Sequence, residues 1–291
     1  MKAIILAAGE GRRLRPLTER VPKPLLPLDG TPLIDHLVAL LAAHGVTQVA
    51  INLHHRPEAV RDHLGDGSDF GVSITYSHEE TLLGSAGAVK KLESFFDESF
   101  FVLYGDVLTD IDLTALAAFH RSRGAVLTMA LCQTDEPERC GIAEPDDDGA
   151  VRRFREKPAP GETSSRWANA GVYAVEPSVL RFIPPDSFFD FGDHLIPSLL
   201  ERGEPVLAYP SDSYFLDIGS PERYSQAERD LASGESRRRR RLTAPTSYRT
   251  PGVALRAASA SSGLVMLAWL TPAGSPTGAT RSSAWSATPG A

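Results

Sequence analysis

Cysteine is nearly absent. Cys132 and Cys140 are the two in 291 residues. That argues against a disulfide framework and a zinc site, and it fits a reducing compartment. Long apolar runs are missing too. No stretch approaches the roughly 20 apolar residues of a membrane span, and "GLVMLAWL" (263–270) falls far short. The opening "MKAIILAAG" has one Lys and a short apolar run, so it reads as a strand rather than a signal peptide. We expect a cytoplasmic protein with no membrane partner. Acids vanish near the C-terminus: residues 234–291 hold one, Glu235, beside eight arginines. The net charge is −7, so residues 1–233 carry −14. A body that acidic is a poor partner for nucleic acid. His54, His55 and His63 lack His-Glu-x-x-His spacing, and no Gly-x-Ser-x-Gly surrounds a candidate nucleophile.

What is present is an alternation of strand and helix patterns. Apolar runs at 2–6, 48–53, 72–76, 100–106 and 125–132 read as strands. Between them, 31–45, 57–67, 85–96 and 112–124 read as helices. The first has Thr31 as N-cap, Pro32 at its first position and Gly45 as its stop. The spacing predicts an α/β fold, a Rossmann-like, mainly parallel mixed sheet with helices on both faces. From about residue 140, short alternating runs with Pro, Gly and Asp turns predict a small antiparallel sub-region beside it. Helices at 191–203 and 221–234 and a strand at 214–219 complete this part. We divide the chain into a body, 1–233, with parts 1–135 and 136–233, and a low-complexity tail, 234–291. The tail opens near "RRRRR" and then holds no Asp, Glu or Lys. It reads as an irregular, disordered tail or as the frame-shifted translation of a once-regular extension.

The basic residues of the acidic body cluster in "LAAGEGRRLRPLTERVPKP" (6–24), directly behind the first strand. A dinucleotide fingerprint would need a third glycine where Leu14 stands. A P-loop would need Gly-Lys-Ser/Thr where Leu14-Arg15-Pro16 stand. What remains is a glycine-rich turn with exposed N–H groups, surrounded by Arg12, Arg13, Arg15 and Lys23. Such a turn suits phosphates approached by backbone and clamped by guanidinium.

This stretch resembles the signature of the sugar-1-phosphate nucleotidyltransferases, Gly-x-Gly-x-Arg-Leu-x-Pro-Leu-Thr followed by Pro-Lys-Pro. It matches at Gly9, Gly11, Arg13, Leu14, Pro16, Leu17, Thr18 and Lys23. Arg12 stands where the family commonly has Thr. "LLGSAGAV" (82–89), "FFVLYGDVLTDIDL" (100–113), "RCGIAEPDDDGAVRRFREKP" (139–158), "NAGVYAVEPSVL" (169–180) and "YFLDIGSPERY" (214–224) resemble its later motifs in order. The resemblance covers about residues 1–232. Two further departures are Cys140, where an aromatic often precedes the glycine, and Tyr104, where Asn or Ser is common.

The resemblance implies attack of a sugar-1-phosphate oxygen on the α-phosphorus of a nucleoside triphosphate, with pyrophosphate leaving. It implies Arg13, Lys23 and Asp106 as catalytic residues. Leu6, Ala8, Gly9, Gly11, Arg13, Leu83, Gly84, Ser85 and Gly87 would hold the nucleotide. Lys23, Gly141, Glu156, Lys157, Asn169 and Gly171 would hold the sugar phosphate. Asp106 and Asp217 would ligate Mg²⁺. The implied partners are therefore the two substrates, with homo-oligomerisation left open. The motifs look most like the mannose-1-phosphate guanylyltransferase branch. Rivals are a glucose-1-phosphate thymidylyl- or uridylyltransferase, heptose- or muramyl-type sugars, and a catalytically silent subunit that senses nucleotide sugars.

Overall fold

The structure, a computed structural model, describes residues 1–233. The tail and both readings of it lie outside the described residues. In the first half, β1 (Lys2–Leu6), α1 (Leu17–Arg20), β2 (Pro27–Leu28), β3 (Thr31–Pro32), α2 (Leu33–Ala43), β4 (Gln48–Leu53), α3 (Pro57–Leu64) and β5 (Ser73–His78) follow one another. Next come α4 (Gly84–Lys91), β6 (Phe100–Tyr104), β7 (Val107–Thr109), α5 (Leu113–Arg123) and β8 (Leu127–Gln133). The second half contributes β9 (Gly141–Pro145), β10 (Val151–Glu156), β11 (Trp167–Val175), α6 (Ile196–Glu201), β12 (Val206–Pro210), β13 (Phe215–Asp217) and α7 (Pro221–Ser233).

β6, β1, β4 and β5 form a parallel run. Successive side chains of a strand face opposite sides of its sheet. Ala3 and Ile5 accordingly pack with Ile34, Leu37, Val38 and Leu41 of α2, while Ile4 packs with Ala86 and Val89 of α4. Both faces are covered, which is why β1 and β4 read as nearly continuous apolar runs. The expected α/β class, mixed sheet and two-sided helical cover are therefore what the chain adopts.

Several local expectations change. Thr31 does not cap a helix; Thr31–Pro32 pairs with Pro27–Leu28, and the helix starts at Leu33. The cause is the Asp29–Gly30 turn, whose two residues both adopt positive φ, 50° and 78°. Such a pair makes a tight hairpin. The strand expected over 100–106 stops at Tyr104, and the helix expected over 191–203 begins as a π-type turn over Phe191–Leu195. β12 has no counterpart among the expected strands; it lies parallel to β8. The antiparallel sub-region does not lie wholly beside the sheet either. β11 enters its middle, antiparallel to both β6 and β8, and its first residues pair with β9.

Candidate active site

After Leu6 the chain leaves the sheet at the carboxyl end of β1. Gly11 turns there with φ +64°, and a Cβ on it would lie 2.8 Å from Thr18 Cγ2. The Thr18 hydroxyl donates to the Gly11 carbonyl at 2.8 Å. Leu14, 1 % exposed, anchors the following turn in the core. The apolar residue thus holds the loop down while its neighbours Arg12 and Arg13 face the cleft. Arg12 forms a solvent-facing pair with Glu10, its Nε donating to Oε2 at 2.6 Å.

Gly105 brings the neighbouring strand end close. Its N–H donates to the Leu6 carbonyl at 2.8 Å, and a Cβ would meet that oxygen at 2.6 Å. The next residue, Asp106, accepts from the Lys23 ammonium at 2.6 Å. Lys23 is itself buried, with 8 % of its surface exposed. A lysine buried this far needs such a partner. β13 runs antiparallel to β7, and the Ile218 N–H donates to the Asp106 carbonyl at 2.8 Å. This pairing delivers Asp217 to the same cleft. Its carboxyl opens to solvent, yet the surrounding walls displace water and raise its pKa; Asp106 nearby raises it further, against the lowering pull of Lys23 and Arg13. A Cβ on Gly219 would fall 2.6 Å from Arg13 Nη2 and 2.9 Å from Asp217 Oδ1. Glycine there leaves guanidinium and carboxylate room to face one another.

The resulting cavity, about 240 Å³, is lined among others by Leu6, Gly9, Gly11, Arg13, Lys23 and Asp106. Those expected site residues do come together. Ala8 is buried beneath the loop. Among the described residues no group of three or more His, Cys, Asp or Glu could hold a metal. Two carboxylates that repel one another beside a phosphate-sized cleft nonetheless fit Mg²⁺, which takes one or two carboxylates plus phosphate oxygens and water.

The start of α4 is committed to internal contacts. Gly84 has φ +74°, and a Cβ on it would meet the Phe189 carbonyl at 2.7 Å. A Cβ on Gly87 would meet the Ser187 carbonyl at 2.6 Å. The Ser85 N–H and hydroxyl both donate to Asp190 Oδ1, at 2.7 and 2.9 Å. The Leu83 N–H donates to Glu79 Oε2 at 2.9 Å.

On the other side, Glu156 ends β10 with its carboxylate wedged between two glycines. A Cβ on Gly141 or Gly192 would lie 2.6 or 2.5 Å from Oε2. Lys157 pairs with Glu156 at 3.1 Å, and its side chain is otherwise open to solvent. Asn169 accepts from the Gly171 N–H at 3.1 Å and donates to the Tyr173 hydroxyl at 2.5 Å. Gly171 has φ +71° at a bulge in β11, against the Tyr104 ring. Burial pushes the pKa of Tyr104 up to about 12, against the lowering influence of Ser85 and Tyr173 close by. The Tyr104 ring, 5.9 Å from that of Tyr173, thus lies between the Asn169–Tyr173 pair and the Ser85–Asp190 pair. Tyr173 and Asp190 escaped the sequence reading. Nothing local marks them, because their partners lie elsewhere in the chain.

The carboxyl ends of the parallel strands of this mixed sheet thus carry a basic glycine-rich loop beside two acids, a setting suited to phosphate groups. Residues 2–234 match the family described as Nucleotidyl transferase, and the chain belongs to that family. It is 40 % identical over 250 residues to the UTP–glucose-1-phosphate uridylyltransferase of Synechocystis sp., covering 81 % of this chain and 64 % of that protein. It is 35 % identical over 234 residues to the mannose-1-phosphate guanylyltransferase of Mycobacterium tuberculosis, covering 80 % and 65 %. The chain thus spans less than two thirds of the length of these curated relatives. Among solved structures, HddC from Yersinia pseudotuberculosis superposes with TM-score 0.68 at 26 % identity, covering 79 % of this chain and 99 % of that one.

Proposed function

We propose that this protein transfers a nucleotidyl group from a nucleoside triphosphate to a sugar 1-phosphate and releases pyrophosphate. The observation that carries this reading is the convergence of Arg13, Lys23 and Asp106, with Asp217 delivered beside them, at the carboxyl ends of parallel strands. Sheets of this kind bind their ligands there. Both reactants are anionic, so positioning and charge neutralisation dominate the chemistry.

Arg13 grips the outer phosphates and stabilises the leaving pyrophosphate through its guanidinium fork. Lys23, pre-aimed by Asp106, sits where the phosphate oxygens meet and neutralises the phosphate being joined. Glu156, fixed between Gly141 and Gly192, offers acceptor oxygens to a sugar hydroxyl, and Lys157 is the exposed cation beside it. Mg²⁺ held by Asp106 and Asp217 would supply further neutralisation of the phosphate oxygens. On this reading 1–135 serves the nucleotide and 136–233 the sugar phosphate.

For base and sugar the reading is GTP and mannose 1-phosphate, giving GDP-mannose. Relatives from Mycobacterium tuberculosis and Candida albicans, 35 % and 38 % identical, are named for that reaction. HddC was also solved with GMP-PN, and this chain is 25 % identical to it. UTP with glucose 1-phosphate is the second reading, favoured by the 40 % identical Synechocystis uridylyltransferase. Pyrophosphate release decides between them, measured with GTP, UTP, dTTP and ATP against mannose 1-phosphate and glucose 1-phosphate. Preference for UTP or dTTP overturns the GTP assignment. Absence of turnover with retained nucleotide-sugar binding would instead mark a regulatory subunit.

A further inference from the structure

Two polar side chains are buried among the apolar strands beneath the nucleotide side, and the chemistry above does not use them. Asn52, 3 % exposed, lies near the end of β4; Glu79, 1 % exposed, follows β5. Asn52 sits in register beside Leu6 on one side and Ser77 on the other. Its neighbours Val49, Ala50, Ile51 and Leu53 are all buried and apolar. Packing alone would place another apolar residue there.

Their hydrogen bonds explain the exception. The Ala7 N–H, the first amide beyond β1, donates to Asn52 Oδ1 at 2.8 Å. A backbone N–H can only donate, so the amide orientation of Asn52 is fixed and Nδ2 must point the other way. Nδ2 donates to Glu79 Oε1 at 2.8 Å. Glu79 Oε2 accepts from the Leu83 N–H at 2.9 Å. The Glu79 main chain is pinned as well: its N–H donates to the Leu53 carbonyl at 2.8 Å, and its carbonyl meets His54 Nδ1 at 2.7 Å. An unbroken line of hydrogen bonds therefore runs from the root of the phosphate loop to the root of the Leu83–Ser85 loop.

We propose that Asn52 and Glu79 are positioning residues, a buried strut that sets the spacing between the two loops assigned to the nucleoside triphosphate. This rests on the nucleotidyl-transfer reading of those loops. The strut has a polarity that can be reversed. Glu79→Gln leaves one carbonyl oxygen to accept from both Asn52 Nδ2 and the Leu83 N–H. Asn52→Asp sets a carboxylate oxygen against Glu79 Oε1. The double variant Asn52→Asp/Glu79→Gln restores every bond. The carboxylate introduced at position 52 would accept from the Ala7 N–H and from the new side-chain amide at position 79, and the oxygen of that amide would accept from Leu83.

The test uses the full chain and whichever of GTP or UTP the parent turns over. It compares KM for that nucleotide, KM for the sugar 1-phosphate, and hydrogen exchange at the Ala7 and Leu83 amides. Each single variant is expected to raise the nucleotide KM about tenfold, the cost of one unsatisfied buried hydrogen bond. The sugar-phosphate KM should stay unchanged, both amides should exchange faster, and the double variant should recover all of this. Parental nucleotide KM in both single variants overturns the proposal. So does restored exchange in the double variant without restored KM, or a double variant as impaired as the singles. If a single variant fails to fold, the double variant decides alone, by folding with parental exchange and KM or not. A parent without nucleotidyl transfer refutes the proposed function instead, and the exchange data then judge the strut on their own.

Discussion

Replacing Lys23 by Met keeps the stem and removes the charge. The ammonium lies 2.6 Å from Asp106 Oδ2, with 9 % of the Lys side chain and 34 % of the Asp side chain exposed. At an effective dielectric of 20 the gross attraction over that distance is about 6 kcal/mol. Most of it offsets the cost of taking the lysine out of water, and the half-open Asp106 can rehydrate once unpaired. The net loss of stability should therefore be only about 1 kcal/mol, or about 2–4 °C in Tm for a body of this size. The reaction has no such refuge. Among the described residues the phosphates have nothing else buried and cationic at that point, so turnover should fall about 10²–10³-fold, as when a positioned transition-state donor is lost. Calorimetry and pyrophosphate release on the same preparation check both numbers. Turnover within about threefold of the parent would refute the role of Lys23. A Tm loss much beyond the range above would show that the pair holds the fold together rather than the phosphates.

Asp217→Asn should separate stability from activity. The raised pKa of Asp217 means that the fold penalises its ionised form, so stability falls as pH rises through the window between the unfolded and folded values. Removing the charge should raise Tm slightly at neutral pH, abolish Mg²⁺-dependent turnover, and abolish any rise in Tm on adding Mg²⁺ to the parent; unchanged turnover sinks the ligand assignment. His120 gives a second pH signature. It is fully buried, bonded to Thr128 Oγ1 at 2.8 Å and Glu176 Oε1 at 3.0 Å. Burial lowers its pKa, against the raising pull of Glu176. Its contribution is present above the unfolded value, about 6.5, and is lost as pH falls through the folded one. Urea midpoints between pH 8 and 5 should therefore drop toward acid, and His120→Gln should flatten that slope while lowering stability throughout; an equally steep profile in the variant places the acid sensitivity elsewhere.

The first half of the fold was legible because its signals are local. Ala3, Ile4 and Ile5 form the short apolar run of a strand covered on both faces, and Leu33, Leu37, Val38 and Leu41 carry a helical period. Thr31 misled because its capping chemistry competes with the Asp29–Gly30 turn just before it, and the turn prevails. The insertion of β11 beside β6 is a pairing between segments about 70 residues apart, and nothing in either segment announces it. The basic loop was readable for the same reason as the helices: Gly9, Gly11, Arg13 and Lys23 are neighbours in sequence. Asp106 and Asp217 could be placed at strand ends, but only the pairing of β13 with β7 joins them. Asn52 and Glu79 stayed hidden because each looks ordinary alone, a polar residue near the end of a strand. Their meaning lies in the hydrogen bonds between them.

The position of β11 has a consequence for anyone wishing to redesign the protein. Its last residues, Val172–Val175, are the neighbours of β6 in the central sheet, while its first residues carry Asn169 and the Gly171 bulge. Residues 136–233 therefore cannot be exchanged as a cassette. A graft of that segment from another family member would replace the strand against which β6 and β8 both lie, and with it a large share of the hydrophobic interior. On the proposed function, altering sugar preference calls for substitutions at the rim of β9 and β10, with the seam strand left native.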